Sequence, residues 1–185
     1  MHRPRNSARR LIGVTVLACA AVLAPVTMLV VAGAVTPAGA TVPQCSTAGL
    51  VVWLDTESNG TAGSIYFDLE FTNLSGHTCT MHAYPGVSAV NLAGHQLGSP
   101  ATRTAGAKPV ITLAAGGTAT AVLQIVDTGV LSASQCDQVH AAGLRVYPPD
   151  QTAAKVVPYP FLACARAGTM YLSVQPMKKA QFGWA

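Results

Sequence analysis

Ile65-Tyr66-Phe67-Asp68-Leu69-Glu70-Phe71-Thr72 is the stretch that decides the fold. Ile65, Phe67, Leu69 and Phe71 alternate with Tyr66, Asp68, Glu70 and Thr72. An extended backbone therefore puts the large apolar groups on one face and the charges on the other. That is the period-two signature of a half-buried strand, and it predicts that Asp68 and Glu70 lie on a solvated outer face. Shorter extended runs flank it. They are residues 50–54, which hold Trp53, then 87–92 after a Tyr84-Pro85-Gly86 turn, and 110–113, closed by Ala114-Ala115-Gly116-Gly117. Residues 118–126 resume the extended pattern, 144–147 stop at Pro148-Pro149, and Met170, Leu172 and Val174 alternate near the end. No amphipathic helix of three turns stands out, and 132–142 has room for one short turn. Seven or eight short strands between Gly, Pro and Asn breaks predict an all-β, antiparallel β-sandwich. A parallel α/β fold would need crossover helices.

Residues 1–40 read differently. Arg3, Arg5, Arg9 and Arg10 form a basic head, 11–35 is an uncharged apolar run, and Ala38-Gly39-Ala40 offers a small-x-small site before Thr41. This is the order of a secretory signal, with cleavage expected after Ala40. The run is also long enough to span a bilayer, so residues 11–35 would be the membrane contact if left uncleaved; Pro25 and the small-residue exit favour cleavage. Cys19 sits in a poor lipoprotein box, and Arg9-Arg10 is a weak twin-arginine match. Residues 41–185 are then a single secreted or envelope domain, with 177–185 expected to fray. Four of the 11 Lys and Arg, and none of the 7 Asp and Glu, precede Thr41, so the remainder is formally neutral. It lacks the cationic stripe that nucleic acid demands.

Cys45, Cys79, Cys136 and Cys164 remain in the exported part. An even count in an oxidising compartment predicts two disulfides, and four cysteines allow three pairings. Cys45 precedes the first strand and Cys79 follows the second, while Cys136 and Cys164 bracket the strand at 144–147. Antiparallel connections therefore favour Cys45–Cys79 and Cys136–Cys164, each stabilising by roughly 3 kcal/mol in the chain-entropy account.

Cys45 also opens an ordered set of motifs. Phe71-Thr72-Asn73-Leu74-Ser75-Gly76 leads into Cys79-Thr80-Met81-His82-Ala83-Tyr84-Pro85-Gly86-Val87. Leu113-Ala114-Ala115-Gly116-Gly117-Thr118-Ala119 comes next, then Cys136, Leu144-Arg145-Val146-Tyr147-Pro148-Pro149 and Cys164. In these the chain resembles a family of actinobacterial secreted and lipid-anchored domains of unknown function, over nearly the whole of residues 41–185. Ala83 stands where a glycine is usual and Ala115 where a proline is usual, both at turns. The resemblance implies an immunoglobulin-like sandwich and export, and it brings no catalytic residues.

Candidate chemistry is sparse. His77, Cys79, Met81 and His82 form the densest set of potential ligands, and imidazole with thioether would suit copper. On a strand, however, His77, Cys79 and Met81 share a face that His82 leaves. His95 and His140 are isolated. Ser64, Ser75, Ser88 and Ser132 lack a Gly-x-Ser-x-Gly setting. Asp68 and Glu70 have the pairing a glycosidase needs, but a solvated strand face accounts for them. Asn59-Gly60-Thr61 and Asn73-Leu74-Ser75 match glycosylation sequons. Among the aromatics Trp53, Tyr66, Tyr84, Tyr147, Tyr159, Phe161 and Trp184, Trp53 is expected between the sheets. The longest irregular stretches, 94–108 and 148–160, are where binding residues would gather. The expectation is an exported, non-catalytic domain without a cofactor that binds a partner in the envelope or medium; the competing reading is a copper protein or enzyme using residues 77–82.

Overall fold

The structure, a computed structural model, describes residues 41–61 and 63–181. The expected signal or anchor at 1–40 lies outside the described residues. Twelve strands follow one another among those described: β1 Leu50–Thr61, β2 Ser64–Asn73, β3 Cys79–Met81, β4 Gly86–Val90, β5 Gln96–Leu97, β6 Thr102–Arg103, β7 Ile111–Leu113, β8 Thr118–Val126, β9 Gln138–Tyr147, β10 Lys155–Cys164, β11 Leu172–Val174 and β12 Lys178–Lys179. Six of them are only two or three residues long, too short to show a period, which is why seven or eight were expected. One short helix, Ala133–Cys136, falls inside 132–142.

The strands form a six-stranded sheet in the order β1-β2-β8-β11-β6 with β12 also on β8, a four-stranded sheet β10-β9-β4-β5, and the pair β3-β7. Pairing is antiparallel except between β11 and β6, which run parallel. Gly63, at φ 77°, makes the tight turn joining β1 to β2. β2 and β8 are then in register over nine residue pairs, with Phe71 opposite Ala119, Leu69 opposite Ala121 and Phe67 opposite Leu123. Large side chains thus face small ones at Phe71 and Leu69, and large ones at Phe67 and Ile65. Val87 and Ala89 from β4, Leu144 and Val146 from β9, and Val157 and Ala163 from β10 join them in one buried cluster, so both large sheets feed a common core.

The sulfurs are bonded as Cys45–Cys79 and Cys136–Cys164, with Cα separations of 4.9 and 4.6 Å. These are the pairs that the antiparallel connections favour, and each closes a hairpin. All four cysteines are buried.

Several expectations are corrected. Residues 148–160 are not one loop, because β10 begins at Lys155 and runs through Pro158 and Pro160 to Cys164. It is an edge strand, where a residue whose missing N–H would point outward costs no ladder bond. Residues 94–108 contain β5 and β6, and the Tyr84 hydroxyl donates to Thr104 O at 2.6 Å. Trp53 is not between the sheets: it lies on the outer face of β1, 37% exposed, with Nε1 donating to Thr72 Oγ1. Within the expected tail 177–185, residues 177–180 are held in place, and 182–185 lie outside the described residues. Met177 is buried and donates to Ala83 O, Lys178 and Lys179 pair with Thr120 and Ala119, and Ala180 donates to Thr118 O. Trp184 lies outside the described residues.

Both turn departures have a physical reading. Ala83 sits at φ 65°, in the left-handed region that favours glycine, so the backbone keeps that shape with a Cβ in place. Ala115 precedes Gly116, at φ 78°, in a turn closed by Gly117 N–H on Ala114 O, where proline would preset the backbone.

Candidate functional site

The segment 77–82 is dispersed by the strand it enters. Cys79 is spent in its disulfide, and Met81, 3% exposed, points into the core. His77 stays at the surface with Nδ1 3.1 Å from Ser75 O, and its carbonyl accepts from Asn73 Nδ2. His82 leaves on the opposite side and meets Asp150, Nδ1 to Oδ2, at 3.4 Å. Among the described residues no three His, Cys, Asp or Glu side chains stand close enough to hold one metal ion. His95 closes a surface turn with Asn91, and His140 is exposed on β9. Asn73 is fully buried: Nδ2 donates to the carbonyls of His77, Leu113 and Ala114, while Oδ1 accepts from Ser75. It ties the β2 end to the β7–β8 turn and is no acceptor for a glycan in the folded protein.

A different region offers room. Where β2 starts and β8 ends, a cleft of about 330 Å³ opens beside β10. Phe67 and Ile125 contribute from the six-stranded sheet, Tyr159, Phe161 and Leu162 from β10, and Ile65 is 39% exposed there. Tyr159 meets Phe67 edge-on, ring centroids 5.0 Å apart, and lies 5.8 Å from Phe161. Along β10, Val157, Tyr159 and Phe161 are more covered than Pro158, Pro160 and Leu162, and the partly exposed Leu162 still borders the cleft. A register shift between Pro158 and Phe161 bends the strand there. Burial raises the Tyr159 phenol above its ordinary pKa, so it stays a neutral donor. The polar rim is engaged elsewhere: Asp127 Oδ1 accepts from Gly129 N–H, Gln138 donates to Thr128 Oγ1, and Gln124 donates to Ser64 Oγ. Apolar anchoring with one phenol handle is what such a site can supply.

The outer face of β2 carries the second cavity, about 410 Å³, lined by Asp68, Glu70, Thr120, Lys178, Lys179 and Gln181. Glu70 is not solvated as its alternation suggests; it is 5% exposed. Its register neighbours are Trp53 on β1 and Thr120 on β8, and β12 lies beyond Thr120. Burial pushes the Glu70 carboxyl up to about 7; the Thr120 hydroxyl opposes that rise, Asp68 and Asp55 add to it, and Lys178 opposes it again. Thr120 Oγ1 nevertheless stands outside hydrogen-bonding geometry, leaving it and Glu70 Oε2 buried without partners. Asp68 is half exposed, with Lys178 Nζ 4.0 Å away.

Tyr159 and Phe161 were legible as candidate anchors; Ile65, Ile125 and Leu162 were not. The available signal was Ile65, a large apolar group at the first turn of the strand, where a sheet face runs out of partners. Nothing in the sequence announces that a two-residue strand pairs with β8 on the far side of Thr120 from Glu70.

The family model described as a domain of unknown function (DUF4232) matches residues 45–178, and the chain belongs to that family. Neither a curated protein nor a solved structure matches it significantly.

Proposed function

We propose that this family member is an exported, non-catalytic binding domain, an immunoglobulin-like sandwich released after Ala40, whose cleft takes an apolar side chain of a protein in the cell envelope or medium. Two buried disulfides support an oxidising, extracytoplasmic setting. The observation that carries the reading is the cleft itself: aromatic and branched groups line it, and its one carboxylate, Asp127, is occupied in capping the Thr128–Val130 turn. Acid–base or nucleophilic chemistry needs titratable groups converging on one point, whereas an apolar anchor needs only this lining. The copper reading of His77, Met81 and His82 draws no support, because Met81 would have to leave the core.

The test is a comparison of retained species. The full chain, expressed with its own leader and recovered after export, is immobilised against envelope extract beside Ile65→Lys and Leu162→Asp. Both side chains are partly exposed, so folding is expected to survive. Proteins held by the native chain should drop at least tenfold in both variants. Equal retention by all three chains would remove the cleft from the binding surface.

A further inference from the structure

β1 is the outermost strand of the six-stranded sheet, and among the described residues it pairs with β2 alone. Its free edge can be read residue by residue. Asn73 donates to Gly117 O and accepts from Gly116 N–H, so its backbone groups turn toward β8. Backbone groups alternate sides along a strand, so Thr72, Glu70 and Asp68 turn toward β1 and bond their partners Val51, Trp53 and Asp55. The N–H and C=O of Val52 and Leu54 therefore point out of the sheet.

Edges of this kind are normally blunted by charge, bulge or proline. β10, the edge of the four-stranded sheet, carries Pro158 and Pro160. β1 has its charges, Asp55 and Glu57, and its register shift only from Asp55 onward. Residues 50–54, Leu-Val-Val-Trp-Leu, have none of these devices, and Val51 and Trp53 are 44% and 37% exposed on the outer face.

We propose that a second copy of this chain pairs with this edge, antiparallel, with Val52 on the two-fold axis. Reflection about Val52 sets Val51 against Trp53 of the other copy twice over, an aromatic against a β-branched residue on one face. It sets Leu50 against Leu54. Asp55 then falls against Gly49, and Glu57 comes beside the Thr47–Gly49 turn, which carries no charge and whose Thr47 is buried and held by Gln151 and Ala153. In-register parallel pairing instead puts Asp55 beside Asp55 and Glu57 beside Glu57, and like charges so placed are destabilising. The acids thus exclude the wrong pairing while the apolar centre fits its own reflection, which is what an isologous contact requires. The 3-10 turn before Leu50 and the register shift after Asp55 limit the ladder to residues 50–54, so the dimer is weak and concentration-dependent.

Sedimentation of the full chain, recovered after export, reads this directly. The expected result is twice the single-chain mass at millimolar concentration, falling to the single-chain mass on dilution. Amide exchange at Val52 and Leu54 should slow at least tenfold across the same range. Val52→Pro deletes an outward N–H and leaves the β2 ladder intact; Val51→Lys charges the seam without touching the core. Each should remain monomeric with unchanged near-ultraviolet circular dichroism, so a folding defect in one leaves the other decisive. A native chain that stays monomeric at millimolar concentration overturns the proposal, as does a dimer that survives both substitutions. Protection of Val52 and Leu54 by a foreign extended peptide, without self-association, also overturns it.

Discussion

The two faces of β2 obey the same alternation and live in different surroundings. Phe67, Leu69 and Phe71 face a sheet across a filled core, as their period demands. Asp68 and Glu70 face outward on neighbouring same-side positions, yet Asp68 is half exposed while Glu70 is 5% exposed. Which way a side chain points is local geometry, fixed by the pleat. What it meets there depends on chain more than a hundred residues further on, since β12 pairs with β8 beside Glu70. A polar outer face is therefore only as wet as the last element laid beside it.

The largest effect should come from breaking the inner face. Phe71 is fully buried opposite Ala119, so Phe71→Ala leaves a void that a methyl neighbour cannot fill. Urea unfolding should show a loss of about 3–5 kcal/mol. A loss under about 2 kcal/mol, below the usual range for truncating a large core side chain to alanine, would mean that this face is less well packed than its burial indicates.

Glu70 sharpens the contrast through pH. Its ordinary pKa is 4.5 and its folded value about 7, so between these the folded state keeps a proton that the unfolded state has released. Stability from this group is full below 4.5 and is lost as pH rises through 7. The loss should reach at most roughly 3 kcal/mol, set by the conversion of a pKa difference into free energy. Glu70→Gln should remove that slope and be the more stable protein at mildly alkaline pH, measured by thermal melting across the range. Parallel pH profiles for the two proteins would return Glu70 to the solvated class with Asp68. Lys178→Ala is the smallest test. Its ammonium and the Asp68 carboxylate are both about half exposed at 4.0 Å, so the pair should contribute within about 0.5 kcal/mol and less in high salt.

Periodicity and cysteine spacing carried the β class, the disulfide pairs and the 118–126 strand, because each depends on neighbours or on a closed hairpin. What escaped were features without a local signature. β10 hides behind Pro158 and Pro160, whose rarity in strands holds for central positions and not for edges. β5, β6 and β12 are two residues each, set by the partner strand rather than by their own side chains. Trp53 invites an inward placement as a large aromatic, whereas its place in the β1 alternation puts it outward with Val51. The candidate site followed the same division: Tyr159 and Phe161 stood out by residue type, but the cleft exists because the β2 start, the β8 end and a bent β10 converge, and only the assembled chain brings them together.

The Cys45–Cys79 bridge also determines how the domain would bear tension. A pull applied at Thr41 reaches Cys45 and crosses to Cys79 at the head of β3, so β1, β2 and their turn lie outside the path of force. The bridge spans 34 positions, and at the extended rise of the chain it withholds roughly 110 Å of contour that would otherwise be drawn out. Held from its N-terminal side, the oxidised domain would yield first at the three-residue β3–β7 pair rather than by peeling its longest hairpin. Reduction would move the first point of failure to β1 itself, turning a short-travel mount into a long, compliant one.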